Sequence, residues 1–481
     1  MDRRPETYYL ETFGCQMNVL DSQLVEGQLR DLGLRRVPSS QQADVILFNT
    51  CSVRQHAEDK VCSRLGRLKT LKRHRPQTII GVIGCMAERQ KEALFESVPH
   101  LDLLCGPGEL HRLPGLIQQA WERGRPVAAL AGLQSRRTPA LERALEDDEL
   151  EMLDLSRRMD RSDNLLRSYV RVQRGCDKFC TYCVVPFVRG PQRSRPPAHI
   201  LQEVEALSRQ GCREVTLLGQ TVNSYAYPED GRKVGLARLL ERVHAVAGIN
   251  RIRFVTSYPA EWDEDIFRVM RDYPRICPHL HIPAQSGSDR ILQAMNRRYT
   301  VADYLRLVDT ARRYIPDLAL AGDFIVGFCG ETERDFQATV DLVRAVQYQT
   351  LFVFKYSPRP GTAAERNQND DVPHSVKVRR NNELLAVQSE ISRRQKQAWI
   401  GQSVEVLVEG YSKAAAKPHS RQPAQLVGRT PHDLITVFYG QPEHIGAIVK
   451  VRVESASALT LHGRLESVLS PPPARVIGPS D

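Results

Sequence analysis

Arg174-Gly175-Cys176-Asp177-Lys178-Phe179-Cys180-Thr181-Tyr182-Cys183 sets three cysteines in a C-x3-C-x2-C spacing. So compact a loop has no room for three independent structural thiols. Thiolates are soft ligands, and three on one tight loop suit zinc or an iron–sulfur cluster. A closed site of either kind takes four protein ligands. The loop supplies three, which leaves one metal position open to a substrate. The plain alternative is a zinc knuckle or three buried structural thiols.

Upstream of the loop, residues 7–132 repeat a strand–turn–helix pattern. Tyr8–Phe13, Asp44–Thr50, Thr78–Gly84 and Leu101–Leu104 read as strands, and Asp21–Leu32 and Gln55–Leu71 as helices. Alternating β and α segments with continuous apolar strands imply a parallel sheet covered on both faces. Cys15, Cys51 and Cys85 each follow one of these strands. In an open parallel sheet the carboxyl ends of all strands share one edge, where ligands bind. Three thiols distant in sequence can therefore meet there, again one ligand short of closure. Buried turns rich in cysteine are the simpler explanation. Cys105 also ends a strand and is expected to be structural; Cys62, on a helix, is expected in the core.

Residues 133–167 read as a linker: arginine pairs, the acidic run Glu146-Asp147-Asp148-Glu149 and few aromatics suggest a solvated helix or a mobile segment. Residues 168–400 alternate again. Strand candidates are Tyr169–Val172, Glu214–Leu218, Arg251–Val255, Leu280–Ile282, Ala319–Phe328 and Leu351–Phe354, with helical patterns such as Pro197–Arg209 and Val301–Tyr314. Six βα units suit a partial barrel whose active face is the carboxyl ends of its strands. Polar and glycine residues gather there: Gly219 to Asn223, Pro283 to Asp289 and Gly327 to Glu331. Gln220 and Gln285 offer both donors and acceptors.

Arg189, Arg193 and Arg195 follow the cysteine loop, and Arg297-Arg298-Tyr299 follows Gln285. Both groups would flank the mouth of the barrel, where RNA phosphates need cations. Val376–Ile400, basic and free of Gly and Pro, would close the barrel. In residues 401–466, Val404, Val406, Val408 and Val449, Val451, Val453 alternate with charged residues. Such period-two pieces predict a small β-barrel. The Pro-rich tail, 467–481, is expected to be disordered.

The 481 residues carry a net charge of +10, which favours a polyanionic partner such as RNA. The apolar share is ordinary, and no eighteen-residue apolar run exists to span a membrane. An N-terminus without an apolar signal region points to a cytoplasmic location. Eleven cysteines in that setting read as ligands and buried thiols, not as a disulfide framework.

The run from Arg174 to Gly190 resembles the signature of radical S-adenosylmethionine (SAM) enzymes, and over its length that of the MiaB-type methylthiotransferases. The resemblance implies that Cys176, Cys180 and Cys183 hold a [4Fe–4S] cluster whose fourth iron chelates SAM. Cleavage of SAM there yields a 5′-deoxyadenosyl radical. Phe13-Gly14-Cys15-Gln16-Met17-Asn18, Asn49-Thr50-Cys51-Ser52-Val53-Arg54 and Gly84-Cys85-Met86-Ala87-Glu88 resemble the three N-terminal cysteine motifs of the same family. They imply a second [4Fe–4S] cluster, on Cys15, Cys51 and Cys85, which serves sulfur insertion. The barrel loops are similar to SAM-contacting segments, with Tyr182, Gln220 and Gln285 as the candidate contacts. Cys329 stands where the family has proline. Phe354-Lys355-Tyr356-Ser357-Pro358-Arg359-Pro360-Gly361 also matches, and residues 401–466 resemble a TRAM domain, an OB-like RNA-binding barrel.

The implied fold is α/β: a parallel α/β sheet domain (7–132), a linker (133–167), a partial (βα)6 radical SAM barrel (168–400) and a TRAM barrel (401–466). The implied reaction adds a methylthio group to C2 of N6-isopentenyladenosine at position 37 of tRNA. The alternatives are the same chemistry on threonylcarbamoyladenosine or on a ribosomal-protein aspartate, and a non-catalytic zinc- and RNA-binding protein. Two [4Fe–4S] clusters and SAM are the implied cofactors. The implied partners are the tRNA anticodon arm, an electron-donor protein and a sulfur source, with the chain a monomer.

Overall fold

The computed structural model describes residues 4–52, 55–132, 148–157, 166–414 and 424–473. The chain divides into two compact units. One comprises 1–163 with 171–179 and 183–195, and the other 164–170, 180–182 and 196–481. Residues on both sides of Cys180–Tyr182 therefore pack with the N-terminal sheet, although the sequence assigns them to the barrel.

The first unit is built on six strands: β1 (Thr7–Phe13), β2 (Arg35–Arg36), β3 (Val45–Thr50), β4 (Ile79–Gly84), β5 (Leu103–Cys105) and β6 (Val127–Ala129). They lie in the order β2-β1-β3-β4-β5-β6, all parallel. Alternate residues of each strand enter two separate cores. Val45, Leu47, Ile79 and Ile83 pack under helices α1 (Gln16–Asp31) and Leu113–Arg123, while Ile46, Phe48, Ile80 and Val82 pack under α2 (Gln55–His74). Both faces are thus covered, as continuous apolar strands require.

Three expectations are corrected in this unit. Helix α1 starts at Gln16, five residues before the predicted Asp21, because Asn18 reaches back to cap Cys15. Cys62 lies on the exposed face of α2, not in the core. The predicted linker includes a packed helix, Asp148–Leu155, which buries Leu153 in the sheet's core and Asp154 among arginines. The rest of that linker, and Val53 and Arg54 of the second cysteine motif, lie outside the described residues.

The second unit carries a partial barrel. β7 (Arg167–Arg171), β10 (Glu214–Leu218) and β13 (Arg251–Val255) form one parallel sheet, and β14 (His279–His281), β15 (Ala319–Val326) and β16 (Thr350–Lys355) a second. Backbone bonds from Cys277 to Ile252 and from Ser257 to His281 join the two into one run of six strands. Short pairs complete the set: β8 (Gln173–Arg174) with β9 (Arg193–Ser194) in the first unit, and β11 (Ala226–Glu229) with β12 (Arg232–Gly235) in the second. Helix His374–Gln397 packs on β16 as expected, but three of its cations are buried. Arg380 pairs with Glu331 at 2.7 Å, and Lys377 with Asp370.

β17 (Ser403–Tyr411), β18 (Ala424–Arg429), β19 (Ile435–Gly440), β20 (Ile448–Ala456) and β21 (Thr460–Ser470) close a small barrel in the order β17-β18-β19-β21-β20. The predicted valines fill it. β21 runs to Ser470, past the expected boundary at 466, because its pairing with β20 continues to Ile448. Residues 474–481 of the tail lie outside the described residues.

The small barrel is riveted to the amino-terminal ends of the six strands by arginines. Arg251 donates to the Arg429 carbonyl at 2.6 Å and to Glu405 at 2.8 Å. Arg253 donates to the carbonyls of Thr430 and Pro431 at 2.8 and 2.9 Å. Arg167 pairs with Glu409 and with Glu214, both at 2.7 Å. Glu214 is fully buried, and Arg253 reaches it at 3.0 Å. Burial alone would raise the Glu214 carboxyl; Arg253, Arg167 and Arg251 overcome it and bring it from 4.5 down to about 2. A carboxyl lowered by folding stabilises the fold above its unfolded value and stops doing so as pH falls through the folded one. The Glu214→Gln variant should therefore lose about 3 kcal/mol at neutral pH by urea unfolding. Its deficit against the parent should shrink between pH 4.5 and about 2; a deficit independent of pH would contradict this reading.

Candidate functional site

The N-terminal cysteines stand at the ends of three adjacent strands. Phe13, Thr50 and Gly84 form one register row across β1, β3 and β4. Cys51 and Cys85 are the next residues after that row, and Cys15 the second. The approach is close: a Cβ added to Gly14 would lie 2.8 Å from Cys51 Cβ. Cys105 pairs with Ile83, one residue short of the row. Its thiol donates to the Glu109 carbonyl at 3.3 Å, and burial pushes it upward, so it is an inert core thiol.

Buried polar side chains set the orientation of this edge. Cys15 Sγ donates to Asn18 Oδ1 at 3.2 Å. Asn18 in turn donates to Asn49 Oδ1 at 3.0 Å, and Asn49 to the Asn18 carbonyl and Ser22 Oγ, both at 2.9 Å. Asp21, fully buried, accepts from Arg171 at 2.6 Å and Arg189 at 2.7 Å. The Arg189 charge also acts on the Cys85 thiol, and Val184 and Val188, at the start and within the short helix Val185–Arg189, pack against Cys85. A hydrogen bond from Cys51 brings the Cys15 thiol down to about 6, with help from the Arg189 charge and against burial. A thiol lowered in this way gives up its proton to a metal more readily.

Among the described residues, no three His, Cys, Asp or Glu side chains stand close enough to grip one metal ion. A single zinc ion draws its ligands to about 2.0–2.3 Å. A cluster takes one thiolate at each of several corners, so its ligands stand farther apart. Soft donors, a lowered thiol and a buried cation beside them fit an anionic iron–sulfur cluster better than a zinc ion.

The C-x3-C-x2-C loop is anchored in each unit separately. In the first, the Cys176 amide donates to the Gly190 carbonyl at 3.0 Å. Gly175 sits at φ +63°, and a Cβ there would lie 1.9 Å from the Pro191 carbonyl oxygen, so only glycine fits. Arg174, Arg171 and Arg195 converge on Asp154, and Glu151 takes Arg195 at 2.8 Å. In the second, Thr181 bonds the Met295 and Ala294 carbonyls, and Tyr182 packs edge-on against Phe328 at 6.4 Å. Cys180 Sγ accepts from Arg297 at 3.4 Å.

Gln220 follows β10, half-buried; Gln285 follows β14, buried, with φ +70°. Thr256, just past β13, has the same φ, unusual for a β-branched residue. Backbone strain thus collects at the carboxyl ends of neighbouring strands, where functional sites hold it. Cys329 is buried beside Tyr356 and Phe328.

The arginines expected to meet RNA are largely internal. Arg189 and Arg195 are held by Asp21 and Glu151, and Arg297 lies buried behind the loop; Arg298 alone of that pair is exposed. A guanidinium's five donors are as well satisfied by buried carboxylates and carbonyls as by phosphate, and the sequence does not separate the two. Asp21, Asn49 and Asp154 were missed as site residues. For Asp21 a signal existed: an acid in the apolar stripe formed by Met17, Leu20 and Leu24. On the small barrel, Tyr439, Arg464 and Arg452 are exposed register neighbours on three strands, a row that sequence reading also missed.

Three family models match: the Uncharacterized protein family UPF0004 over residues 7–106, the Radical SAM superfamily over 170–343 and the TRAM domain over 397–465. The tRNA-2-methylthio-N(6)-dimethylallyladenosine synthase of Rhodopirellula baltica is 44% identical over 465 residues, 96% of each chain. The enzyme of the same name from Syntrophotalea carbinolica is 42% identical, over 94% of this chain and 98% of that one. Among solved structures, the radical SAM methyltransferase TsrM of Kitasatospora setae, with cobalamin and a [4Fe-4S] cluster bound, is similar in fold. It has a TM-score of 0.52 and 16% identity, covering 75% of this chain and 77% of that one. No helix among the described residues is long and apolar enough to cross a membrane. With this much identity along almost its whole length, the chain belongs to the family of the tRNA-2-methylthio-N(6)-dimethylallyladenosine synthases.

Proposed function

We propose that the chain is a radical SAM methylthiotransferase that places a methylthio group on C2 of N6-isopentenyladenosine at position 37 of tRNA. The observation that carries it is the register row that delivers Cys15, Cys51 and Cys85 past three neighbouring strands, in a chain that separately bears the C-x3-C-x2-C loop. Two three-thiol sets, each short of a fourth ligand, suit two [4Fe–4S] clusters. Bound with SAM, these supply the radical and the sulfur that an unactivated adenine C2–H requires.

The protein's part is to hold and orient. The lowered Cys15 thiol is primed to bind metal, and Asn18 and Arg189 border the edge on which Cys15 and Cys85 stand. Tyr182 on the cysteine loop, and Gln220 and Gln285 past the carboxyl ends of β10 and β14, are the residues for SAM. The exposed row of Tyr439, Arg464 and Arg452 offers a stacking face and two cations to tRNA, whose anticodon arm is the substrate. An electron-donor protein and a sulfur source complete the set of partners. The chain acts as a monomer in the cytoplasm.

Two measurements test this. Anaerobically reconstituted protein should hold about eight irons per chain, as two four-iron clusters imply. Cys15→Ala or Cys176→Ala should halve that, and only Cys176→Ala should abolish reductive SAM cleavage; a colourless zinc protein would refute the reading. Mass spectrometry of tRNA nucleosides from a deletion strain should show loss of the methylthio-isopentenyl nucleoside. An unchanged profile, or loss of the threonylcarbamoyl counterpart instead, would overturn the substrate assignment.

A further inference from the structure

Arg297 is buried, 9% exposed, and its donors are directed by fixed acceptors. Nε donates to the Tyr299 hydroxyl at 3.0 Å, and Nη2 to the Pro283 carbonyl at 3.0 Å. Nη1 is left aimed at Cys180 Sγ, at 3.4 Å. The guanidinium carbon lies 4.5 Å from the centre of the Tyr258 ring and 5.1 Å from that of Tyr299. These rings meet edge-on at 78°, and the Tyr299 hydroxyl is itself tied to the Ala284 carbonyl at 2.7 Å. Two aromatic faces and two acceptors leave the fork little freedom to turn.

The charge is the telling feature. The buried arginines Arg189, Arg253 and Arg380 each face a carboxylate: Asp21, Glu214 and Glu331. Arg297 forms no ion pair with a carboxylate among the described residues; its close neighbours are two tyrosines, carbonyls and the Cys180 sulfur. A buried cation without a counter-charge costs several kcal/mol. A cysteine thiolate, or the anionic cluster it would hold, is the counter-charge that the site lacks.

We propose that Arg297 is a positioning residue for the cysteine loop. It fixes the Cys180 sulfur by a charge-assisted N–H···S hydrogen bond and makes the cluster held there easier to reduce. Hydrogen bonds to cluster sulfurs and nearby charge set reduction potentials, and a cationic donor favours the more negative, reduced state. This rests on the reading of Cys180 as a cluster ligand.

The test uses the full chain carrying Cys15→Ala, Cys51→Ala and Cys85→Ala, so that the loop cluster alone is seen. EPR-monitored reductive titration of this parent is compared with the same chain plus Arg297→Gln or Arg297→Lys. The Gln form should show about a tenfold lower ratio of reduced to oxidised cluster at a fixed potential, about 59 mV for one electron. The Lys form, which keeps the charge but not the fork, should fall between the Gln form and the parent. A Gln form with four irons and an unmoved potential overturns the proposal. Should the Gln form not hold iron, the parent grown on guanidinium-15N arginine decides: a 15N hyperfine coupling to the reduced cluster supports the proposal, and its absence overturns it. A parent without iron sinks the cluster assignment and this proposal together, whereas an iron-loaded parent with no shift sinks this proposal alone.

Discussion

One carboxylate, Asp21, holds together the part of the first unit on which its chemistry depends. It sits on the helix that begins at Cys15, and it takes Arg171 and Arg189, which bracket the C-x3-C-x2-C loop in sequence. All three side chains are buried. Charges withdrawn from water to this degree persist only when paired, and removing one partner strands the other at a cost of about 3–5 kcal/mol. Arg171 also reaches Asp154 at 3.7 Å, so the helix Asp148–Leu155 belongs to the same network. The ion cluster thus does for this unit what a covalent tie does elsewhere. It fixes where the strand end carrying Cys15 and the segments around Cys176 and Cys183 can go.

Each unit shows one architectural solution. Parallel strands deliver their carboxyl ends to a common edge, and residues just beyond the last register row become the site. Cys51 and Cys85 are next past such a row, Cys15 one further, and Cys105, level with Ile83, is not. In the barrel Thr256 takes the same position past β13, and Gln285 lies four residues beyond β14, both with left-handed backbone. Cys105 stands two residues of register short of Cys51 and Cys85.

The fold was largely legible because its strands are continuous apolar runs flanked by turn residues. β10 and β13 end where periodicity ends, as does helix Val301–Tyr314. What escaped was short or depended on partners far along the chain. β2 is two arginines and β6 three residues, too brief for any pattern. Helix α1 was placed late because its cap is a cysteine backed by an asparagine, and not the usual Ser, Thr or Asp. The six thiols stood out through their motifs, but the groups that orient them did not. Asp21 meets Arg171 across 150 residues, and Arg297 meets Cys180 across 117. The placement of cations was misread for the same reason: Arg189, Arg195 and Arg297, which read as an RNA-facing surface, are consumed inside.

The small C-terminal barrel sends the turn that holds Thr430, Pro431 and Asp433 against the starts of the strands, where Arg253 donates to two of its carbonyls and Asp433 feels Arg253, His279 and Arg167. It is therefore a floor as well as an appendage. A protease cut or a gene split after Ile400 would do more than remove a nucleic-acid reader. It would uncover Arg251 and Arg253 together and leave Glu214 amid unanswered positive charge at the base of the catalytic fold. The underside of the six strands is thus built to be covered, and the polar turn of the small barrel is its cover.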